Sequence, residues 1–284
     1  MKLNFNAQHW IDAWDADPDT SLKQMKKAGL GSYTSPGFDD WARRFDAQSF
    51  TESGKARAAR IMAWVEQHIG TFDQTSVLDV GAASGVFSMP FAQQGAHVTA
   101  LEPAPILQTL LRNHAQEQNL DIEIYPEAFE NINTQNMPTY DLVFASMCPA
   151  FIDWPAVEKA IALAKHYLYI SLMAGPKTNR FVETLLPIIE REGNNDVADM
   201  YYLMQILYCK DYTYDLRIEQ HEKTETFTKD EIMTYLDTWF MDYKITLTDD
   251  DKAKIMTYID THYDTHVDVT TGGKFGKLLI YTSA

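Results

Sequence analysis

Cysteine is scarce: Cys148 and Cys209 stand alone in 284 residues. Two distant thiols cannot build a disulfide framework or a zinc site, and they read as reduced side chains in a reducing compartment. Basic residues are also short, with 24 Lys and Arg against 40 Asp and Glu and a formal net charge of −16. A chain that acidic repels polyphosphate at long range, and no basic run extends beyond Lys26-Lys27. Nucleic acid is therefore not an expected partner. No apolar run approaches the length of a membrane span. The opening MKLNFNAQHW has no apolar core segment, so a secretory leader is not expected and the expected location is cytoplasmic. Histidines offer no metal spacing beyond His262 and His266 in IDTHYDTHVDV. On a helix that pair could share a ligand. Nothing apolar surrounds it to dehydrate an ion, so it reads as a solvated helix end and no metal is expected.

What is present is an ordinary globular composition, 45% hydrophobic and 23% charged. The length allows one large domain with an elaborated cap. Residues 1–52 suggest short helices around Ile11, Trp14 and SLKQMKKAGL, with a loop at Gly29, Gly31 and Pro36. Apolar residues at Ala59, Ile61, Met62, Trp64, Val65 and Ile69 are spaced as a helix, with Gly70 placed as its cap.

From Ser76 the rhythm becomes strand, helix, strand, helix: SVLDVG, a helix from Val86 to Gln94, HVTALE, PAPILQTLLRNHAQEQ, IEIYPEA, YDLVFASM, WPAVEKAIALA and HYLYISLMA. Such alternation implies a parallel sheet with helices on both faces. The expected fold is α/β, a doubly wound, mostly parallel, seven-stranded Rossmann-like sheet. Residues 1–52 would form an N-terminal helical segment and 53–284 the main domain. After the fifth strand, 177–227 reads as a helical insertion (about 179–192 and 195–209) followed by an extended stretch. It is longer than a crossover needs, and such insertions tend to cover a site. A helix at TKDEIMTYLDTWF capped by Thr228, and a hairpin with a final strand in GGKFGKLLIYTS, complete the pattern.

The stretch SVLDVGAASGVFSMPFAQQGAHVTALEP carries the chemistry. Gly81 and Gly85 fall just past the first strand, where a missing Cβ lets the backbone turn and approach a ligand. Glu102 ends the second strand, 21 residues after Gly81, where a carboxylate can take both hydroxyls of a ribose. A dinucleotide fingerprint would want a third glycine where Val86 stands. Asp79 would also repel a pyrophosphate, whereas it suits a cofactor carrying an amine.

VLDVGAASG followed by LEP resembles the cofactor-binding core of class I S-adenosylmethionine-dependent methyltransferases, from about Ser53 to Met173 and more weakly to the last strand. The resemblance implies S-adenosyl-L-methionine as cofactor. It places Asp79 near the amine or holding the loop, and Gly81, Ala82, Ala83 and Gly85 against the methionine part, with Ala83 where a glycine often stands. Glu102 and Pro103 match the ribose side; Glu127, Ala128 and Phe129 match the adenine side; Ser146 and Met147 match the methyl-transfer pocket. It also implies an N-terminal lid, to which Tyr33, Trp41 and Phe45 would contribute aromatics. Core packing explains those three residues equally well.

Methyl transfer is an in-line displacement that requires alignment above all, so no catalytic residue is assigned. The fourth strand ends in Ser146-Met147-Cys148-Pro149-Ala150-Phe151, which lacks the second proline of amine-directed members. Cys148 as a nucleophile would need a nearby base; a small apolar residue at a strand end is the favoured reading. The expected activity is methylation of a small-molecule acceptor. The rivals are an RNA or protein methyltransferase and a non-catalytic, cofactor-binding regulator; the assembly to consider is a homodimer.

Overall fold

The structure, a computed structural model, describes residues 5–27 and 32–283. Gly29 and Gly31 of the expected loop lie outside the described residues. Seven strands form one sheet: β1 (Ser76–Val80), β2 (His97–Leu101), β3 (Ile122–Tyr125), β4 (Tyr140–Ser146), β5 (Ala164–Asn179), β6 (Thr213–Thr228) and β7 (His266–Tyr281). Their order is β3-β2-β1-β4-β5-β7-β6. The pairs β3–β2, β2–β1, β1–β4 and β4–β5 run parallel. Strand order reverses between β1 and β4, which is where such sheets bind ligands beyond their carboxyl ends. The expected seven-stranded, mostly parallel sheet is the one found.

Burial explains the strand sequences. β1 is covered on both faces, so Val77, Leu78, Asp79 and Val80 are all buried, and only Asp79 among them is polar. β3 lies at the sheet edge and alternates half-buried with exposed residues, as a strand with one wet face should. The helix α4 (Glu52–Ile69) precedes β1. Its Thr51 cap accepts from the Gly54 amide, and Gly70 at φ +97° ends it. Its Ile61, Met62, Trp64 and Val65 pack with Val77, Leu142, Phe144 and Tyr169 of the sheet. The Phe144 and Tyr169 rings stack at 4.5 Å. Crossover helices α5 (Ser88–Gln93), α6 (Pro105–Glu117) and α7 (Trp154–Leu163) link the parallel strands. α5 starts two residues later than Val86, because Gly85 at φ +91° is still turning the chain.

Two compact units divide the chain. The first comprises residues 1–172, 199–217 and 277–284; the second comprises 173–198 and 218–276. In the first unit, α1 (Ala7–Ala16) packs on α9 (Asp199–Cys209), and α3 (Phe38–Ser49) packs on α4 and α6. A short helix, α2 (Ser21–Lys27), lies between α1 and α3 in sequence. The second unit has its own core. There Phe181, Val182 and Leu185 of α8 (Arg180–Leu185) meet Ile232, Leu236 and Phe240 of α10 (Lys229–Met241) and Ile255 and Ile259 of α11 (Asp249–His262). α8 is shorter than the expected 179–192 helix because Pro187 cannot continue the hydrogen-bond ladder. Thr228 caps α10 as expected, and Glu231 closes a reciprocal capping box with it.

One sequence expectation is corrected here. His262 is the last residue of α11, Tyr263 is extended, and His266 opens β7. The two imidazoles therefore do not share a helix face.

Candidate active site

Past the carboxyl end of β1, the chain turns three times through the left-handed region. Gly81 has φ +72°, Ala83 φ +50° and Gly85 φ +91°. The turn is tied to the neighbouring strand, because the Gly81 and Ala82 amides both donate to the Leu101 carbonyl. Glycine at 81 is favoured for a second reason: a Cβ there would lie 2.7 Å from Cys148 Sγ. At Gly85 a Cβ would press on Leu111 at 3.1 Å.

Glu102 is the pivot of this region. It is only 5% exposed, and each carboxylate oxygen accepts a main-chain N–H. Oε2 takes Ala83 at 2.9 Å and Oε1 takes Ala104 at 2.8 Å. One side chain thus joins the turn after β1 to the start of α6. Its carbonyl also accepts from Gln108 Nε2 at 2.9 Å. Burial pushes the Glu102 carboxyl upward, and the two N–H groups oppose that shift. Each oxygen keeps a lone pair for a further donor.

Asp79 is 2% exposed and accepts from Ser88 Oγ at 2.6 Å. Burial raises its pKa to about 7, against the pull of Ser88 and with a smaller push from Glu102. Of its two sequence readings, holding the loop is the one with a partner in place, since Ser88 begins α5. Ser84 between the two glycines is fully buried, and its Oγ has no hydrogen-bond partner.

On the far side of β2, Glu127 Oε1 accepts from the Ala128 amide at 3.1 Å and from Asn131 Nδ2 at 2.9 Å, which hold its carboxyl below the ordinary range. Phe129 is buried and stacks on Phe151 at 5.4 Å. At the end of β4, the Met147 amide donates to Ser171 Oγ at 2.9 Å, and Met147 adopts φ +51°. Ser146 Oγ lies 3.3 Å from the same Ser171 hydroxyl. Cys148 is buried, and desolvation, with Glu102, Glu130 and Asp79 nearby, pushes its thiol up to about 12. A thiol held protonated this firmly is a packing group rather than a nucleophile.

The N-terminal helices reach the same region through residues other than the three aromatics singled out by sequence. Ala42 of α3 is fully buried with Ala104 and Leu107, and Phe38 and Ala83 join that cluster. Tyr33 and Trp41 are 46% and 45% exposed. Phe45 stacks on Trp41 and packs on the α4 core. Further back, Trp14 of α1 stacks on Tyr202 of α9, Tyr202 Oη donates to Asp17 at 2.9 Å, and the Ser21 amide donates to the buried Asp199 carboxylate at 2.9 Å. Of the α9 tyrosines, Tyr202 is held by these contacts, while Tyr201 and Tyr208 are half or more exposed. Lys177 pairs with Asp242 and Arg180 with Glu222 in the second unit, so both are engaged in ion pairs.

Sequence reasoning missed Ser84, Ser88 and Ser171. Ser88 carried a faint signal, the only hydroxyl in the first turn of a helix that directly follows a glycine loop. Ser171 carried none, because its role comes from strand pairing.

Residues 77–169 match the family of methyltransferase domains. This stretch is a methyltransferase domain. A ubiquinone biosynthesis O-methyltransferase of Bordetella avium is 29% identical over 102 residues, 36% of this chain and 42% of that protein. The Bordetella bronchiseptica protein of the same name is 24% identical over 186 residues, 64% of this chain and 71% of that one. Against three such relatives this chain spans 27–42% of their length. Magnesium protoporphyrin IX methyltransferase of Synechocystis, solved with bound S-adenosylhomocysteine, superposes with a TM-score of 0.47 at 15% identity, covering 85% of this chain and 95% of that one. No helix among the described residues is long and apolar enough to cross a membrane.

Proposed function

We propose that this chain transfers the methyl group of S-adenosyl-L-methionine to a small-molecule acceptor. The observation that carries the reading is the union of the glycine turn with the acid of β2, where the Ala83 amide donates to Glu102. It makes one rigid edge from the two elements that have to meet the cofactor's methionine and ribose parts. Three features fit such a guest: the side-chain-free cradle at Gly81, the remaining lone pairs of Glu102, and the unpartnered Ser84 hydroxyl.

When bound, the cofactor supplies a sulfonium methyl group open to in-line displacement. Glu102 would accept from the ribose hydroxyls and Pro103 would flank them, while Gly81, Ala82, Ala83 and Gly85 give main-chain approach on the methionine side. Asp79 acts from behind by fixing Ser88. Glu127, with Ala128 and Phe129 beside it, offers an acceptor to the adenine amine. Ser146 and Met147, set by Ser171, line the edge where the acceptor atom has to align. The domain division of the sequence reading belongs to the same proposal, with residues 1–52 as a cover that excludes water. Tyr33, Trp41 and Phe45 belong to that cover.

The net charge of −16 supports a small acceptor over a nucleic acid. The relatives are named O-methyltransferases, so hydroxyl acceptors come first in the test. Purified protein is incubated with S-adenosylmethionine and a panel of small hydroxyl, amine and thiol compounds, with an RNA and a protein pool in separate arms. Release of S-adenosylhomocysteine with a small molecule supports the proposal. Turnover confined to the RNA or protein arm, or binding without turnover in any arm, contradicts it.

A further inference from the structure

The turn after β3 is held by a residue that lies 29 to 30 positions away and in another element. Lys159 of α7 extends its ammonium to two successive carbonyls, Phe129 O at 2.7 Å and Glu130 O at 2.9 Å. The same nitrogen stands 5.2 Å from the centre of the Phe129 ring. That ring is 3% exposed and pressed on Phe151 from the loop before α7. Residues 129–131 form a single 3₁₀ turn, and such a turn is too short to be stable alone. Two carbonyls aimed at one cation, plus one aromatic face, convert it into a fixed platform.

The platform positions Glu127. Asn131 closes the turn, and its Nδ2 donates to Glu127 Oε1 at 2.9 Å. The Ala128 amide donates to the same oxygen at 3.1 Å, and Ala128 O accepts from the Asn131 amide at 2.9 Å. The chain of contacts therefore runs from Lys159 to the carbonyls of 129 and 130, then to Asn131 and the Glu127 carboxylate. Partial burial pulls the Lys159 ammonium below its ordinary range, with Glu130 opposing that shift.

We propose that Lys159 is a positioning residue for base selectivity: it fixes the turn that aims Glu127, and so sets how strictly the site demands an amine on the purine ring. The inference rests on the reading of Glu127 as the adenine acceptor. An acceptor that loses its aim distinguishes a donor from a non-donor less strictly.

The experiment titrates the full chain by calorimetry with S-adenosylhomocysteine and with S-inosylhomocysteine, in which a carbonyl oxygen replaces the purine amine. Wild type should prefer the adenine compound by about tenfold or more. Lys159→Met should lower that preference to within about threefold, with the inosine compound's affinity changed least. Lys159→Arg, which keeps a cation with several donors, should restore most of it. A purely structural role would weaken both ligands alike and leave the ratio untouched, and that result overturns the inference. Should Lys159→Met fail to fold, Lys159→Gln, which keeps a neutral amide NH₂, has to show an intermediate ratio; an unchanged ratio there also overturns it. Failure of the underlying reading looks different: wild type itself would show no preference between the two compounds.

Discussion

Glu102→Ala is the most revealing single change. It removes a carboxylate that pairs the Ala83 and Ala104 amides at 2.9 and 2.8 Å in a place only 5% exposed. Leaving a buried N–H unpaired costs about 1–3 kcal/mol, so two cost about 2–6 kcal/mol. Part of this is returned, because the carboxylate is itself held against desolvation; a net loss of about 2–4 kcal/mol is expected. In a chain of this size each kcal/mol lowers the melting temperature by about 2–4 °C. Cofactor affinity should fall further than stability alone explains, since the turn that approaches the methionine part is no longer pinned and two acceptors for the ribose are gone. Glu127→Ala, which removes one acceptor from a more open place, should weaken binding less and leave the melt nearly unchanged. The assay is a thermal melt and a calorimetric titration with S-adenosylhomocysteine for both variants, with Glu102→Gln retaining one acceptor oxygen and falling between. Equal affinities for the two alanine variants, or a Glu102→Ala protein that melts and binds like wild type, would refute the reasoning.

Gly81→Ala should destabilise by about 2 kcal/mol or more, combining a left-handed backbone with a Cβ forced onto Cys148 Sγ at 2.7 Å; adding Cys148→Ala should recover only the steric part, as a double-mutant cycle in urea would read. Ala83→Gly should be neutral or stabilising by up to about 1 kcal/mol in the same assay, since φ +50° suits glycine. Asp79 has a folded-state pKa raised from an ordinary 3.8 to about 7, so the native state holds an extra proton between those values. Its contribution is fully present below about pH 4 and is lost as pH rises to about 7, some ~4 kcal/mol at about 1.4 kcal/mol per pH unit; Asp79→Asn should flatten that part of the stability profile, and an unchanged slope would contradict the buried, protonated acid. Trp14→Ala, at a fully buried ring stacked on Tyr202, should cost about 3–5 kcal/mol by denaturant melt, and a loss under about 1 kcal/mol would show that α1 does not depend on α9 for its place.

Much of the sheet was legible because strands buried on both faces must be apolar: SVLDV, HVTAL and YDLVFAS announce themselves, and glycines at 70, 81 and 85 mark the turns between periods. Motif spacing also brought Asp79, Gly81 and Glu102 to one edge. What spacing could not give is which groups the acids hold. Glu102 reads as a free ribose acceptor in the sequence, yet it already holds two amides whose positions depend on the turn and on α6. The N-terminal helices were foreseen as helices, but the residues that meet the glycine turn are Phe38 and Ala42, chosen by how α3 lies on α6. Ser171 and Lys159 act through strand register and helix placement, and no local pattern marks either. His262 and His266 misled for the converse reason, since a four-residue spacing suggests one helix until the helix ends at Tyr263 and separates them.

The central claim is tested most directly by calorimetric titration of the purified chain with S-adenosylhomocysteine, run beside Gly81→Ala as a control that disrupts the cradle. The account predicts saturable one-to-one binding in the micromolar range or tighter by wild type, and a large loss in the variant. Absence of binding by folded wild-type protein at millimolar ligand would contradict it.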